Sequence, residues 1–308
     1  DNKSTSGTAR SVIKLEHDAA LVYGAGSQSL IISDRQNERL RIDSNGMIGF
    51  GGVTPKTQNT FDAIEFGKTG FLGSHLAEHL LESGEEVICL DNFFTGSKEN
   101  IEHWIGHPSF ELINHDVIEP IKLEVDRIWH LACPASPIHY QSNPIKTAKT
   151  SFLGTYNMLG LARRVNAKLL LASTSEVYGD PKVHPQPESY RGNVNTIGIR
   201  SCYDEGKRIA ESLCFDFFRQ FKTNIKIARI FNTYGPRQSA RAIIPTIILQ
   251  MINGNKKINL GAVRTTRDFS FIDDTVDAYL AAIKAKDIEG EVINLGSGHE
   301  TSILDIVK

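Results

Sequence analysis

The sequence has 308 residues, of which 40% are hydrophobic and 23% are charged, as is ordinary for one large or two smaller α/β domains. The formal net charge of −2 excludes a general attraction to nucleic acid or to an anionic membrane surface. Four cysteines without metal-ligand spacing, and the lack of a signal peptide or a membrane-spanning run, predict a cytoplasmic protein with reduced thiols, no bound metal and no membrane partner.

Residues 1–60 differ in character from the remainder. They are rich in Ser, Asn, Asp and Gly, and their short alternating runs, LIIS and LRID, are followed by the turn signal SNG. The stretch ERLRIDSNGMIGFGG resembles short segments of phage tail-fibre proteins. We therefore expect a β-rich extension with no core of its own, separate from the part of the chain that follows.

From about residue 67 the pattern alternates between strands and helices. HLAEHLLESG predicts an amphipathic helix that stops at Gly84, and EVICLD, RIWHLA, AKLLLAST and IKIARIFNTYG predict strands. Near-continuous apolar strands favour a parallel sheet covered on both faces. We predict an α/β fold with a Rossmann-like, doubly wound parallel sheet in residues 61–236. The alternation loosens after residue 236, which predicts a smaller cap in residues 237–308.

A glycine-rich turn precedes the first helix. GKTGFLGSHL places Gly67, Gly70 and Gly73 three residues apart, and a helix N-terminus there supplies N–H groups for a pyrophosphate. Asp91 ends the next strand, where an acid binds both ribose hydroxyls of NAD and repels the extra phosphate of NADP. This order favours NAD binding over a role of Asp91 as a helix cap or turn residue.

The strand before this turn fits the pattern least well. FDAIEF carries Asp62 and Glu65, although a strand buried on both faces should not bury lone carboxylates. Lys68 also stands where a small residue would let the backbone approach a pyrophosphate. The first strand is therefore the weakest element of the predicted sheet.

SCYDEGK sets Tyr203 and Lys207 four residues apart, which places them on one face of a helix. A lysine ammonium beside a phenol favours the phenolate, which can accept a proton. Taken alone, the pair is weak evidence for a catalytic base and fits better a surface tyrosine that leans on a lysine stem.

From Gly70 onward the chain resembles the extended short-chain dehydrogenase/reductases of the NAD-dependent epimerase/dehydratase family, and most closely the UDP-glucuronate decarboxylase branch. The tracts that carry the resemblance are TGFLGSHL, LDNFFTGSKENIEHWIGHPSFELINHDVIEP, HLACPASPIHY, LASTSEVYGDP, GNVNTIGIRSCYDEGKR and ARIFNTYGPR.

The resemblance implies three sets of site residues. The NAD site would consist of Gly67, Gly70, Phe71, Leu72, Gly73, Asp91, Asn92, Asp116, Val117, Leu131, Ala132, Tyr203 and Lys207. The catalytic residues would be Thr174, Ser175, Glu176, Tyr203, Lys207 and Arg267. The substrate would contact Pro134, Ser136, Tyr140, Asn232, Arg237 and Arg267.

The resemblance also assigns roles within these sets. Tyr203 would be the base, and Lys207 would lower its pKa and bind the nicotinamide ribose. Thr174 would bond the sugar's 4-hydroxyl, and Arg267 would read the substrate's negative charge. Residues 237–308 would be part of a substrate-binding subdomain, which we expect to be truncated.

The implied activity is that of a carboxy-lyase, which converts UDP-glucuronate to UDP-xylose through a 4-keto intermediate. The helix of Tyr203 and the helix TYNMLGLARRV would pair across a two-fold axis in a homodimer. One alternative is a nucleotide-sugar 4,6-dehydratase acting on UDP-N-acetylglucosamine or dTDP-glucose, which the tract GPRQSARAIIPTIILQMINGNKKINLGAVRTTRDFSF favours. Dehydratases commonly use an aspartate in a Thr-Asp-Glu run, whereas this chain has Thr174-Ser175-Glu176. The other alternative is a fused or truncated nucleotide-binding protein without activity.

Overall fold

The computed structural model describes residues 70–254 and 257–307 in full, and before residue 70 it describes the backbone of six strands. The chain divides into two compact units, Asp1–Thr60 and Phe61–Lys308. Gly67 and Lys68, which the sequence singles out near the phosphate-binding turn, lie outside the described residues, as does Asp62.

The first unit contains a five-stranded antiparallel sheet in which each strand pairs with the next along the chain. Its strands are β1 (Val12–Leu15), β2 (Ala19–Gly24), β3 (Ser29–Asp34), β4 (Asn37–Ile42) and β5 (Ile48–Phe50). The short strands expected in this region are present. Their likeness to tail-fibre segments stays a prediction.

The second unit is built on a seven-stranded sheet whose order is β14-β11-β10-β9-β6-β7-β8, with every pair parallel. The strands are β6 (Ala63–Phe66), β7 (Val87–Asp91), β8 (Phe110–Asn114), β9 (Arg127–His130), β10 (Lys168–Thr174), β11 (Ile225–Ile230) and β14 (Val292–Leu295). The strand order reverses between β6 and β9, so a crevice forms outside their carboxyl ends, as in doubly wound sheets. The predicted Rossmann-like fold is confirmed.

The strand that fitted the sequence pattern least well lies at the centre of this sheet. The backbone of β6 pairs in parallel with β7 on one side and with β9 on the other, and Ile64 is the partner of both Ile88 and Ile128. Strand β6 therefore ends at the point where the strand order reverses, which is where a nucleotide binds in such sheets.

Helices cover both faces of the sheet. The helices are α1 (Phe71–Glu82), α2 (Pro137–Ser142), α3 (Pro144–Lys149), α4 (Thr155–Val165), α5 (Ser201–Phe221), α6 (Ile243–Ile252), α7 (Ile272–Lys284) and α8 (Ile303–Val307). On one face α1 and α7 bury residues such as Leu76, Leu80 and Tyr279, and on the other α4 and α5 bury residues such as Met158 and Ala210. Helix α1 ends before Gly84, as expected, and the φ of +81° at this residue suits glycine.

Helices α3 and α4 form one continuous helix that contains a π-helical turn. Pro144–Lys149 and Thr155–Val165 are α-helical, and Thr150–Gly154 between them is π-helical. Ser151 in this turn lies against Gly206 of α5, where an added Cβ would stand 2.9 Å from the serine Oγ. The glycine therefore allows the two helices to approach closely.

Residues 237–308 contribute to two sheets. Strand β12 (Asn232–Tyr234) pairs in parallel with β13 (Thr266–Phe271), and β13 pairs antiparallel with β15 (Glu300–Ser302). However, β14 and α7 belong to the large sheet and its covering layer. Although β14 and α7 follow residue 236, they therefore pack with the elements of residues 61–236. The domain boundary at residue 236 stays a prediction.

None of the helices in the described part of the chain combines the length and the apolar composition of a membrane span. Within the same residues no three or more His, Cys, Asp or Glu side chains are grouped so that they could hold a metal ion.

Candidate functional site

A cavity of about 980 Å³ opens at the carboxyl ends of the central strands. Its walls come from the start of α1, the segments after β9 and β11, the end of β10, helix α5 and the small sheet. The predicted site residues that line it are Gly70, Phe71, Leu72, Gly73, Leu131, Ser136, Glu176, Tyr203, Lys207, Asn232, Arg237 and Arg267. One cavity therefore brings together most residues that the sequence assigned to a single site.

The first turn of α1 forms the floor of the cavity next to the strand-order reversal. Gly70 precedes the helix with an extended backbone, and Phe71, Leu72 and Gly73 form its first turn. The first N–H groups of a helix have no partner within the helix, and they carry the positive end of its dipole. This turn can therefore bind a pyrophosphate, as the sequence predicts.

A smaller adjoining cavity lies beyond the ends of β7 and β8. Asp91, Asn92, Asp116, Val117, Ala132 and Pro134 are among the residues that line it. Asp91 is 3% exposed, and its Oδ1 accepts a hydrogen bond of 2.7 Å from the Phe93 N–H. This bond fixes the carboxylate at the strand end, where it can face the hydroxyls of a ribose. Pro134 lies in this nucleotide end, although the resemblance assigned it to the substrate.

The second acid of the smaller cavity is held by neighbouring side chains. Lys146 forms an ion pair with Asp116, and the Asn92 amide donates to the same carboxylate oxygen at 3.1 Å. Burial alone would raise the pKa of Asp116, but these bonds and the Ile118 N–H hold it below its usual value. The carboxylate is therefore charged and fixed at the edge of the site.

Tyr203 and Lys207 project from the first turns of α5 to the end of β10. Both residues are 6% exposed. The hydroxyls of Tyr203 and Thr174 share a hydrogen bond, and the Lys207 ammonium donates to the Ala172 carbonyl at 2.6 Å. The helix thus places the phenol and the ammonium in one wall, as the four-residue spacing predicts.

The expectation that Lys207 brings the pKa of Tyr203 towards neutrality is not met by the protein alone. Burial raises the pKa of Tyr203 well above its usual value, and the hydrogen bond from Thr174 only partly opposes this. Burial also lowers the pKa of Lys207. A phenolate buried at this position loses more hydration than the surrounding groups return, so the protonated phenol is favoured.

The turn that follows β10 carries two further predicted residues. Thr174 is the N-cap of a short 3₁₀ turn and accepts a 3.2 Å hydrogen bond from the Glu176 N–H. Glu176 lines the cavity and forms an ion pair with Arg200, which precedes α5. Ser175 is half-buried and is not among the residues that line the cavity. The glutamate is thus better placed than the serine to face a substrate.

Tyr140 supports Tyr203 from behind. The two rings are stacked, with centroids 5.1 Å apart and planes 8° apart, and Tyr140 is 1% exposed. Its ring forms part of the wall behind Tyr203 and does not line the cavity in this structure. The direct substrate contact that the resemblance implies for Tyr140 stays a prediction.

The opposite rim of the cavity is rich in arginine. Arg267 is exposed on β13 and donates to the Thr266 carbonyl at 2.7 Å. Arg237 is paired with Glu78 of α1, its Nη1 lying 2.8 Å from Oε2. Asn232 is exposed on β12 beside them. This rim can bind an anionic group opposite the tyrosine and lysine.

Sequence reasoning missed several residues of the site. Arg241 lines the rim, with its Nη2 2.7 Å from His139 Nε2, and Cys133 lines the wall near Lys207, with its Sγ 3.3 Å from Ser151 Oγ. Arg241 lies in the tract GPRQSARAII, so a search of that tract for arginines would have found it. Cys133 lies in the tract HLACPASPIHY between the predicted residues Ala132 and Pro134, but its contact with Ser151 depends on packing and could not be derived from the sequence.

A parallel sheet with a reversed strand order, a helix N-terminus at the reversal and a buried tyrosine–lysine pair define the short-chain dehydrogenase/reductase class of α/β proteins. Within that class, the chain belongs to the NAD dependent epimerase/dehydratase family, whose model matches residues 66–296. The membership predicted from sequence is confirmed.

Curated relatives are similar over most of the chain. UDP-glucuronic acid decarboxylase 3 of Arabidopsis thaliana is 54% identical over 245 residues, which cover 79% of this chain and 71% of the relative. UDP-glucuronic acid decarboxylase 1 of Xenopus tropicalis is 52% identical over 244 residues, covering 79% of this chain and 58% of the relative.

Solved structures share the fold. A UDP-glucuronic acid 4-epimerase from Bacillus cereus, in complex with UDP-glucuronic acid and NAD, matches with a TM-score of 0.70 at 30% identity, over 79% of this chain and 80% of that one. A dTDP-glucose 4,6-dehydratase from Bacillus anthracis in complex with NAD matches with a TM-score of 0.70 at 23% identity, over 80% of this chain and 79% of that one. The second likeness supports the fold alone.

Proposed function

We propose that this chain decarboxylates UDP-glucuronate to UDP-xylose, with NAD as a bound cofactor that is regenerated in each turnover. One observation carries the proposal: Tyr203, bonded to the Thr174 hydroxyl and with Lys207 beside it, lines a cavity whose opposite rim holds arginine side chains. The decarboxylases that are more than 50% identical to the chain support the same activity.

The residues at the nucleotide end fit NAD. The N-terminus of α1 suits the pyrophosphate, Asp91 suits the adenosine ribose, and Asp116 and Val117 form the wall beyond it. NAD, when bound, supplies the acceptor that takes a hydride from the sugar's 4-carbon and later returns it. A buried carboxylate at Asp91 disfavours the additional phosphate of NADP.

Proton transfer at the 4-hydroxyl is assigned to Tyr203 and Thr174. The Thr174 hydroxyl is bonded to the phenol, so a proton can reach Tyr203 directly or through the threonine. Burial makes the phenolate unfavourable in the protein alone. The Lys207 ammonium, buried in the same wall, is assigned to stabilise the negative charge that develops there during proton transfer. The Tyr203 phenolate is therefore a strong base, and it forms only during proton transfer from the substrate.

The second step needs no further acid on the leaving group. Once the 4-carbon is a ketone, a carboxylate on the 5-carbon is β to it, so the carbon–carbon bond breaks and its electrons form an enolate as carbon dioxide leaves. The residues have to hold the carboxylate, stabilise the enolate and supply one proton. Arg267, whose planar fork can bond two carboxylate oxygens, is assigned to the first task.

The dehydratase alternative fits the site less well. Elimination of water requires an acid that protonates the leaving hydroxyl, and the position after Thr174 holds a half-buried serine, which is a poor proton donor. Glu176, the next acid, is held in an ion pair with Arg200.

The test is incubation with UDP-glucuronate and NAD, followed by mass analysis of the nucleotide sugars. Loss of carbon dioxide is the expected result, and the Tyr203→Phe variant serves as the matched negative control. Loss of water would replace the proposal by dehydration, and an unchanged sugar in the presence of bound NAD would favour the non-catalytic alternative.

We also propose that α4 and α5 form a homodimer interface. Phe152 of the π-helical turn is 43% exposed, Tyr156 of α4 is 53% exposed and Ile209 of α5 is 40% exposed. Large apolar side chains on adjacent helices lose contact with water when a second copy covers them. Helix α5 also carries Tyr203 and Lys207, so a dimer would also stiffen this wall of the site.

A further inference from the structure

Helix α5 and strand β10 are joined by three successive contacts at the active-site wall. Residues 203, 207 and 211 of the helix follow each other at one-turn spacing and therefore lie on one face. Each contacts one of the last three residues of the strand. The contacts are Thr174 with Tyr203, the Ala172 carbonyl with Lys207 and the Ser173 hydroxyl with Glu211.

The third contact has a second anchor on the neighbouring strand. Arg229 of β11 is the register partner of Ser173, and it bonds both oxygens of Glu211, with Nε at 3.0 Å and Nη2 at 2.6 Å. The Arg229 and Glu211 side chains are 11% and 8% exposed. Arg229 is itself held by the Tyr178 hydroxyl at 2.9 Å. The carboxylate thus accepts three hydrogen bonds from two strands while it belongs to the catalytic helix.

Few charged groups face Lys207. Cys133 approaches from the segment after β9, Cys214 and Glu211 lie on α5, and His130 lies at the end of β9. Burial lowers the pKa of His130 to about 3, so this ring is neutral, and burial raises the pKa of the Cys214 thiol. Among these groups Glu211 is the one carboxylate. Burial lowers the pKa of Lys207, Cys133 opposes this most, and Glu211 is the next group and the carboxylate that favours the ammonium.

We propose that Glu211 is a positioning residue for the reaction: held by Ser173 and Arg229, it fixes α5 against β10 and keeps Lys207 in the ammonium form. This inference rests on the proposed function, since its purpose is to keep Lys207 charged beside Tyr203 during proton transfer. Glu211 does not line the cavity, so it acts through Lys207 and not on the substrate.

A purely structural ion pair would behave differently. Removal of one partner of a buried pair destabilises strongly, whereas replacement of both partners by neutral groups is often tolerated. The single variant Glu211→Gln and the double variant Glu211→Gln/Arg229→Gln therefore separate stability from charge. In the double variant the two amides can bond each other and Ser173, but the negative charge next to Lys207 is gone.

The measurements are thermal unfolding, the pH profile of UDP-glucuronate turnover, and the pH profile of NAD affinity by calorimetry. In both Glu211 variants we expect the alkaline midpoint of turnover and of NAD binding to move to lower pH, because the ammonium loses a carboxylate that favours it. In the double variant the melting temperature should return towards that of the unmodified chain while the midpoints stay low. Glu205→Gln, which removes a half-buried carboxylate on another face of the same helix that pairs with Arg208, is the control and should change neither midpoint.

Three results would overturn the proposal: unchanged midpoints in the single variant, recovery of stability and midpoints together in the double variant, or failure of both variants to fold, which would assign the pair to folding. The NAD profile needs no turnover. If the unmodified chain binds NAD but leaves UDP-glucuronate unchanged, the proposed function fails while the effect of Glu211 on Lys207 is still measured.

Discussion

Replacement of Tyr203 by phenylalanine removes one oxygen and keeps the ring. The stack on Tyr140, with centroids 5.1 Å apart, should survive, and only the hydrogen bond to Thr174 is lost. A typical hydrogen bond contributes about 1 kcal/mol to stability, which corresponds to a fall in melting temperature of roughly 2–4 °C for a unit of this size. NAD affinity should change little, since Lys207 and the nucleotide end are untouched.

The effect on turnover should be far larger. A positioned acid–base group contributes about 10²–10⁴-fold to the rate, or about 3–5 kcal/mol of transition-state stabilisation. The assay measures UDP-xylose formation under saturating NAD, together with melting temperature and NAD affinity. Tyr279→Phe is the matched control, because this tyrosine is equally buried but lies in α7, outside the cavity, and its hydroxyl has no hydrogen-bond partner among the described residues.

Two outcomes would refute this reasoning. If Tyr203→Phe turns over within about threefold of the unmodified chain, Tyr203 is not the base, since the expected loss is at least tenfold larger. If its melting temperature falls by much more than that of the control and NAD binding is lost with it, the hydroxyl serves the fold.

Three further expectations follow from the same geometry. Asp91→Ala should weaken NAD by about 10–100-fold, because charged hydrogen bonds are worth about 1.5–3 kcal/mol, and calorimetry with NADP should show reduced discrimination; equal affinities in the unmodified chain would contradict this assignment. Arg267→Lys keeps the charge but loses the fork, so turnover of UDP-glucuronate should fall more than UDP affinity; an equal loss of both affinities with intact turnover would place Arg267 on the diphosphate. Burial raises the pKa of Asp204 to about 6, although Arg200 partly opposes this shift. The folded state therefore keeps this proton at pH values where the unfolded chain has lost it, so the free energy of unfolding falls as pH rises from about 4 through 6. Asp204→Asn should therefore be more stable than the unmodified chain by about 1–3 kcal/mol at pH 8 and equally stable near pH 4. Denaturant unfolding at both pH values tests this, and a stability difference that is the same at both would contradict the titration of Asp204.

The interface proposed on α4 and α5 is open to a direct test in the same series. Sedimentation equilibrium should show a dimer for the unmodified chain and a monomer for Tyr156→Glu, since an uncompensated carboxylate in an apolar interface is costly. A monomer at micromolar concentration of the unmodified chain would contradict the interface.

Much of the fold was predictable because buried parallel strands have a simple sequence signature. The runs that contain β7, β10 and β11 are apolar along most of their length, and Gly84 marks the end of α1. Strand β6 has only four residues, so its sequence shows little hydrophobic pattern. Its central position comes from backbone pairing with β7 and β9, which the sequence does not reveal. The pairing of β14 with β11 in the large sheet was not predicted for a related reason, because the sequence of a four-residue strand does not indicate which sheet contains it.

The site was predictable where function requires fixed spacing along the chain. Tyr203 and Lys207 follow helical periodicity, and Asp91 follows a strand, so each could be placed from sequence. Contacts between distant segments could not be derived in this way. The pairing of Arg237 with Glu78 joins residues 159 positions apart in sequence, and the burial that raises the pKa of Tyr203 depends on the packed wall around it.

The π-helical turn Thr150–Gly154 acts as a fixed angular joint. Each residue of an α-helix advances by about 100° around the axis. One additional residue in a turn therefore rotates the side chains of the preceding helical segment by about that angle relative to those of the following segment. The stretch before the joint presents Lys146 to Asp116 at the nucleotide end, and the stretch after it presents Thr155 to His130 below the catalytic helix. An uninterrupted α-helix of the same residues could satisfy one of these contacts but would turn the other away. The number of residues in this turn, more than their identity, therefore sets the phase between the two ends of the site.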